Sequence, residues 1–200
     1  MTRAGFVTFH TARTDDAEVV VAALRRHAHT TLRAAPGFVS ARIHVSTDGG
    51  TVVQRTEWQD RESTVDAWPD VPGPTASVFE GTPAPGLEGP AAGREPGVVV
   101  VATRYLAGPE SAAAVLELLA GSGRWKRDFP GFISATPYLS ADGRTFVNYP
   151  TWVDESSFRA WTEDPNINGA REEVTRHELR PPDILVCHVV ETIAREGVHA

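Results

Sequence analysis

The sequence predicts an α+β fold made of two tandem ferredoxin-like repeats, each with the element order βαββαβ. Three observations support this prediction: an internal repeat, a hairpin motif in each copy, and helical spacing of apolar residues ahead of each hairpin. Pro36–Ala41 recurs as Pro130–Ala135, an offset of 94 residues. At this offset, 12 of the 25 positions from 36 to 60 are identical. Chance similarity is negligible at that level, so the chain is a duplicated unit.

The first copy contains the signals of one such unit in order. Asp15 and Glu18 have the spacing of a capping box, and apolar residues then follow helical periodicity up to Leu32. Asp48-Gly49-Gly50 is typical of a hairpin turn. The predicted elements are a strand over Phe6–His10, a helix ended by Pro36, hairpin strands over Phe38–Val45 and Val52–Trp58, and a short helix over Arg61–Trp68.

The second copy repeats this order. Gly108 and Pro109 are typical of a helix start, with proline in the first turn. Asp142-Gly143 marks the second hairpin turn. The predicted elements are a strand over Val98–Tyr105, the helix that follows Pro109, hairpin strands over Phe132–Leu139 and Thr145–Trp152, helical segments over Glu155–Trp161 and Gly169–His177, and a last strand over Ile184–Thr192.

A proline- and glycine-rich segment separates the copies. We predict a first repeat over residues 1–70, a linker over 71–96 and a second repeat over 97–200. Within the linker, Ala76–Glu80 is the one candidate for a fourth strand of the first repeat. Otherwise the first repeat borrows an edge from the second or lacks that strand.

Composition excludes several classes of protein. The net charge is −7, which argues against a nucleic-acid partner at the whole-chain level. The single cysteine, Cys187, excludes an intrachain disulfide and a zinc site built on several thiolates. No apolar stretch is long enough to cross a membrane, and the N-terminus lacks a signal-peptide core. The histidine spacings predict no metal site, and we expect a cytoplasmic protein.

In each copy Pro-Gly-Phe is followed by Asp-Gly and then by Trp ahead of an Ala-Trp pair. This pattern resembles the antibiotic biosynthesis monooxygenase domain, over nearly the whole chain and twice. The resemblance implies a dimeric α/β-barrel arrangement fused in one chain, with the two repeats packed sheet to sheet as one pseudo-twofold unit. We expect that contact to bury more than about 1,000 Å², the usual size of a specific interface. Association of two such chains into a homodimer is an alternative that the sequence leaves open.

Asn148 and Trp152 are the sharpest candidates for catalysis. They are four residues apart on one predicted strand, so their side chains share a face. The resemblance implies that this pair donates hydrogen bonds to a substrate carbonyl or developing oxyanion. The alternative is structural: Trp152 fills the core, while Asn148 bonds backbone at a bulge favoured by Pro150.

The resemblance implies two further side chains beyond Trp152. An aromatic hydroxyl is expected six residues on, where this chain has Phe158. Phenylalanine has no hydroxyl group that could donate or accept a proton, so Phe158 is assigned to substrate binding. An arginine is expected in the second helical segment, and Arg171 is the catalytic candidate although one residue out of register. Arg176 is the alternative, assigned to substrate binding, and the structural interpretation of either is a solvated helix charge.

Aromatic residues are concentrated in the second copy, and we interpret them as the lining of a pocket for a flat ligand, with ordinary core as the alternative. Tyr138 and Trp161 are assigned to substrate binding with Phe158. The first copy has Gln54 where the second has Asn148, and the extra methylene displaces its amide. We therefore expect the second pocket to be the working one.

The leading functional hypothesis is an oxygenase that uses O₂ on an aromatic polyketide-like or phenolic molecule, without a tightly bound cofactor. A second enzyme hypothesis keeps the oxygenation but uses reduced flavin as a diffusible co-substrate. The third is a non-catalytic binder of small aromatic molecules. Phe158 and the shifted arginine favour the binder, whereas Asn148 and Trp152 oppose it.

Overall fold

The computed structural model describes residues 5–65, 68–69, 71 and 75–195. The chain divides into two compact units: Met1–Pro83 with Cys187–Ala200, and Ala84–Val186. The strands are β1 (Phe6–Arg13), β2 (Phe38–Ser46), β3 (Thr51–Trp58), β4 (Thr75–Pro83), β5 (Leu87–Glu88), β6 (Val98–Leu106), β7 (Phe132–Leu139), β8 (Thr145–Trp152) and β9 (Glu178–Ala194). The helices are α1 (Ala17–Thr30), α2 (Pro109–Arg127), α3 (Glu155–Glu163) and α4 (Asn166–Thr175), with a 3-10 turn at Leu32–Ala34.

The first unit has the antiparallel strand order β4-β1-β3-β2, which is the ferredoxin-like order. The last residues of β9 add to this sheet beside β2, from Ser40 opposite Ala194 to Ser46 opposite Cys187, with a register shift between Ile43 and His44. Helix α1 begins at the N-cap Asp16, whose carboxylate accepts from the Val19 amide. The cap is therefore one residue later than the predicted capping box.

The second unit repeats the same topology, with the order β9-β6-β8-β7 and the two-residue β5 beside β7. Helices α2, α3 and α4 belong to this unit. None of the described helices combines the length and the apolar character needed to cross a membrane. The prediction of two ferredoxin-like repeats is confirmed.

Two details of the first unit differ from the prediction. Arg61–Ser63 form a turn, in which Asp60 accepts from the Ser63 amide, and the described residues of the predicted helix Arg61–Trp68 are not helical. Strand β4 is longer than the weak candidate Ala76–Glu80 and pairs with β1 along Val7–Ala12. The segment predicted as a linker thus supplies this unit with a fourth strand, in addition to the end of β9.

The shared hairpin motif makes the same hydrogen bonds in both copies. The Ser46 hydroxyl donates to Asp48 at 2.6 Å and accepts from the Thr51 amide at 2.9 Å. Ser140, Asp142 and Thr145 make the same two bonds at the same distances. The identities between the copies therefore fall where side chains hold the turn.

The shared Pro-Gly motif joins the end of each first helix to the residues after the tryptophan. Gly37 and Gly131 have φ values of +76° and +77°, a region that favours glycine. The Gly131 carbonyl accepts from the Val153 amide at 2.9 Å. A Cβ built on Gly131 would lie 2.2 Å from the Ser157 Oγ, so the backbone passes against the N-terminal turn of α3.

We expect Gly131→Ala to destabilise the protein by about 1–3 kcal/mol, because alanine is strained at this φ and its methyl group collides with Ser157. The measurement is the free energy of unfolding in urea. Gly121→Ala is the control, since Gly121 lies within α2 with open space around it and alanine favours a helix. Equal stability of the two variants would contradict this account of the motif.

The cores of the two units differ. In the first, an apolar cluster runs from α1 residues such as Leu24 to Trp58 and contains Leu32. In the second, one cluster lies around Trp152 and Trp161 and another around Leu106 and Val115. Members of both clusters line a cavity, which also contains five of the seven predicted site residues.

Candidate active site

A cavity of about 300 Å³ lies in the second unit, lined by residues of the sheet and of α2, α3 and α4. This volume is at the lower end of the range for small-molecule sites. Its wall contains Trp152 and Ala135 from one apolar cluster. It also contains Leu119 and Val174 from the other. Several lining residues, among them Arg127, Arg171 and Ile184, are exposed, so the cavity is open to solvent.

Five of the seven predicted site residues line this one cavity: Asn148, Trp152, Phe158, Trp161 and Arg171. The alternation of β8 places Asn148, Pro150 and Trp152 on the cavity side. Asn148 is half-buried, and its amide makes no hydrogen bond with the residues that the structure describes. The amide is thus available to a ligand.

Trp152 is fully buried, with 0% of its surface exposed. Its ring centroid lies 5.1 Å from that of Phe132, 5.6 Å from that of Trp161 and 6.1 Å from that of Phe158. Within the described part of the chain its indole Nε1 has no hydrogen-bond partner. A buried donor is normally paired, and the Nε1 of Trp58 in the first repeat likewise has no partner among the described residues. Trp152 is both a core residue and a wall of the cavity.

The bulge that is the structural alternative for Asn148 lies on another strand. The pairing of β8 runs in register past Pro150, with Ala102 opposite Asn148 on one side and Ala135 opposite Pro150 on the other. The register shift is in β7, between Phe132 and Ser134. Asn148 is therefore held on a regular strand, which fixes the direction of its side chain.

Tyr138 and Arg176 are not among the residues that line the cavity. On β7 the cavity-lining residues are Ala135 and Pro137, and Tyr138 therefore points to the opposite face of the sheet, where it is buried. Arg176 is the exposed residue that caps the C-terminus of α4. Neither residue lines this cavity, and their assignment to substrate binding stays a prediction.

The described lining is strongly basic although the chain is acidic. It contains Arg104, Lys126, Arg127 and Arg171, and no aspartate, glutamate, histidine or tyrosine. Arg104 is compensated, since its guanidinium donates to the buried carboxylate of Glu178. For the other three, no ion pair is found with described residues. Such a cavity favours a ligand that carries or develops negative charge.

Lys126 is at the end of α2, and its ammonium nitrogen lies among aromatic rings. Nζ is 4.9 Å from the ring centroid of Phe132, 5.6 Å from that of Trp152 and 4.9 Å from that of Trp161. Burial, and secondarily the charge of Arg104, lower the pKa of Lys126 to about 7. This side chain can therefore change its protonation state near neutral pH.

Sequence reasoning misses Lys126, Arg104 and Arg127. The repeat does carry a signal for Lys126, because the offset of 94 residues pairs it with the apolar Leu32. A lysine aligned with a core leucine is a signal of a special site. Arg104 has no comparable signal, since its partner Glu178 is 74 residues away and the pairing depends on the fold.

The equivalent positions of the first repeat are packed differently. Gln54 is fully buried, and its amide donates to Thr56 at 3.1 Å. Leu32 is fully buried in the cluster that contains Trp58. The first repeat thus has an occupied amide and a leucine where the second has a ligand-accessible amide and a lysine.

Among the described residues, no group of three or more His, Cys, Asp or Glu side chains is arranged to hold a metal ion. Cys187 is buried and has a pKa raised by burial to about 12, so it is not an activated thiol. The chemistry available in the cavity comes from amide and indole donors, cations and aromatic surfaces.

Comparison with known proteins gives one family. Residues 6–73 and 98–173 each match the family described as antibiotic biosynthesis monooxygenase. The two matched segments correspond to the two repeats and together cover most of the chain.

Individual relatives agree with this match. Tetracenomycin-F1 monooxygenase from Streptomyces glaucescens is 51% identical over 73 residues, which are 36% of this chain and 64% of that protein. The chain thus matches less than two thirds of the length of this relative. A crystal structure of an anthrone oxidase-like protein has a TM-score of 0.76 at 17% identity, over 99% of this chain and 96% of that one. A monooxygenase-like protein from Listeria innocua has a TM-score of 0.61 at 12% identity, over 94% and 95%. These two structures share the fold.

Proposed function

Because the chain belongs to the antibiotic biosynthesis monooxygenase family, we propose that the cavity of its second repeat is the active site of an oxygenase. The substrate is an aromatic polyketide-like or phenolic molecule, the oxidant is O₂, and no tightly bound cofactor takes part. The observation that carries this proposal is the single cavity that Asn148, Trp152 and Arg171 line together.

The lining favours a flat molecule with an acidic group. Trp152, Phe158 and Trp161 offer aromatic surfaces on which a planar ring system can pack. The uncompensated cations stabilise a phenolate or an enolate. The name of one relative, a monooxygenase of tetracenomycin F1, supports the same class of substrate.

The proposed reaction converts an activated methylene group to a carbonyl group. The substrate R₂CH₂ loses a proton, and the carbanion, delocalised as a phenolate or enolate, gives electrons to O₂. The resulting peroxide anion R₂CHOO⁻ is protonated and loses water, so that R₂CH₂ and O₂ become R₂C=O and H₂O. Substrate carbon is oxidised and O₂ is reduced, which balances without another reductant.

The protein contributes position and charge stabilisation. The Asn148 amide and the Trp152 indole N–H donate to the substrate oxygen on which negative charge develops. Arg171, exposed at the open side, binds the anionic edge of the substrate. The aromatic walls hold the ring system and exclude water from the anion.

The test is oxygen uptake by the purified protein on addition of 1,8-dihydroxyanthrone, against the uncatalysed autoxidation in buffer. We expect faster uptake, one O₂ consumed for each quinone formed, and no accumulation of hydrogen peroxide. If a panel of anthrones and quinol precursors binds to the protein without turnover, the protein is a binder of aromatic molecules and the oxygenase proposal is wrong. If turnover requires a flavin reductase and NAD(P)H, the protein uses diffusible reduced flavin and the cofactor-free reaction is wrong.

A further inference from the structure

Lys126 stands out in the amino-acid composition of this chain. Of the 19 lysine and arginine residues, it is the one lysine. The others in this group are arginines, which keep their proton in proteins, whereas lysine loses its proton readily when buried. The one side chain of this type lines the cavity of the second repeat.

The internal repeat supplies a reference for this position. Four residues ahead of the shared Pro-Gly motif, the first copy has Leu32 and the second has Lys126. Leu32 is fully buried in the cluster that contains Phe38 and Trp58, and Lys126 lies over their counterparts Phe132 and Trp152. An amine in place of a core leucine lowers the stability, because the charged form loses its hydration. A lysine at such a position therefore indicates a function.

The surroundings of Lys126 leave its amine to a ligand. The rings of Phe132, Trp152 and Trp161 surround Nζ, and no carboxylate among the described residues pairs with it. The nearby charged residues of the lining are Arg104 from β6, Arg127 from α2 and Arg171 from α4. Glu178 of β9 faces Arg104 and compensates that residue. The described lining contains no other group that exchanges a proton near neutral pH.

We propose that Lys126 is the catalytic base that takes the proton from the substrate in this cavity. This inference rests on the proposed function, since it assigns the first step of that reaction. The lone pair of the neutral amine forms an N–H bond as the substrate C–H or phenolic O–H bond breaks. The electron pair of the broken bond stays on the substrate, and nothing is oxidised in this step.

After the proton transfer, the Lys126 ammonium lies beside the substrate anion that it has produced. The electrons of that anion go to O₂, and the ammonium returns its proton to the peroxide anion R₂CHOO⁻. The amine is then neutral again when R₂CHOOH loses water. One lysine thus serves as base and acid within one turnover, and the cavity gains no net charge.

The pKa of about 7 for Lys126 supports this role and fixes the direction of the pH dependence. A base near its pKa at the working pH is efficient in general base catalysis. The amine must be neutral, so kcat/KM should fall about tenfold per pH unit below 7 and reach a plateau above it. Burial is the main cause that favours the neutral amine, and the charge of Arg104 adds to it.

The first test needs no substrate. Protein grown with lysine labelled at ¹⁵Nζ and ¹³Cε gives a single side-chain signal, because the chain has one lysine. We expect this signal to titrate near pH 7. A titration near pH 10, the ordinary range of lysine, would overturn the assignment.

The second test uses variants chosen from the repeat. Lys126→Leu reproduces the residue of the first copy, and Lys126→Arg keeps a positive charge that cannot be lost. Both should lower kcat/KM for 1,8-dihydroxyanthrone by about 10²–10⁴-fold and abolish the fall below pH 7. If Lys126→Arg is about as active as the unchanged protein, positive charge alone is sufficient, and the assignment of Lys126 as the catalytic base is wrong.

A third measurement separates this inference from the proposed function. Alizarin is a phenol whose colour reports its ionisation and which cannot undergo the oxygenation. We expect bound alizarin to appear as phenolate at a lower pH in the unchanged protein than in Lys126→Leu. If the anthrone is not oxidised but this shift is present, the oxygenase fails and the proton transfer stands. If the anthrone is oxidised and the shift is absent, the oxygenase stands and the assignment of Lys126 as the base is wrong.

Discussion

Asn148→Ala is expected to lower kcat/KM for the anthrone by about 10²–10³-fold, the usual effect of removing one oxyanion donor. The amide projects from a regular strand into the cavity, and no described residue accepts from it. Truncation therefore removes a contact with the ligand and breaks none within the protein. Thermal stability should change little, because Asn148 is half-buried and lines an open space.

Gln54→Ala is the matched control in the first repeat. Gln54 occupies the equivalent position but is fully buried and already donates to Thr56. Its loss should lower the stability by about 1–3 kcal/mol, since a buried hydrogen bond is broken, and leave kcat/KM close to its original value. A larger loss of turnover in Gln54→Ala than in Asn148→Ala would move the working site to the first repeat.

The sequence predicts the repeat correctly because its identities fall on residues that the backbone requires. Gly131 is at a positive φ, and Asp142 holds the hairpin through Ser140. Such local requirements are visible in one sequence, since they involve neighbours along the chain. The common placement of Asn148 and Trp152 on one face follows from the period of a strand and is likewise local.

The features that the sequence does not predict depend on contacts between distant segments. The ion pair of Arg104 with Glu178 joins β6 to β9, and no spacing in the sequence indicates it. Ala76–Glu80 is a weak candidate for the fourth strand of the first unit, but no spacing in the sequence indicates the full length of β4 or its pairing with β1, about 70 residues earlier. Tertiary pairing determines the structure there, whereas local propensity indicates a linker.

Tyr138 and Lys126 show two different limits of sequence reasoning. The aromatic ring of Tyr138 suggests a binding residue, but strand alternation puts its neighbour Pro137 in the cavity instead. Lys126 carries no motif of its own, although the comparison of the two copies marks it against Leu32. Differences between the repeats are thus as informative about the site as their identities are about the fold.

Trp152→Phe is expected to keep the fold and to lower kcat/KM by about 10²–10³-fold. Phenylalanine retains much of the aromatic contact with Phe132 and Trp161 but has no N–H group. The indole Nε1 has no partner among the described residues, so its loss breaks no hydrogen bond in the free protein. The effect should therefore appear in turnover, with a stability loss of about 1–3 kcal/mol from the smaller ring alone.

Trp58→Phe provides the control that separates packing from catalysis. Trp58 is the equivalent residue of the first repeat, is equally buried, and its Nε1 also lacks a partner in the described chain. The two variants should lose similar stability in urea unfolding, because each removes the same atoms from an aromatic core. Only Trp152→Phe should lose turnover, since Leu32 accompanies Trp58 whereas Lys126 and the cavity accompany Trp152. If a folded Trp152→Phe protein turns over the anthrone at the original rate, Trp152 is a core residue like Trp58, and Asn148 is left as the donor to the substrate oxygen.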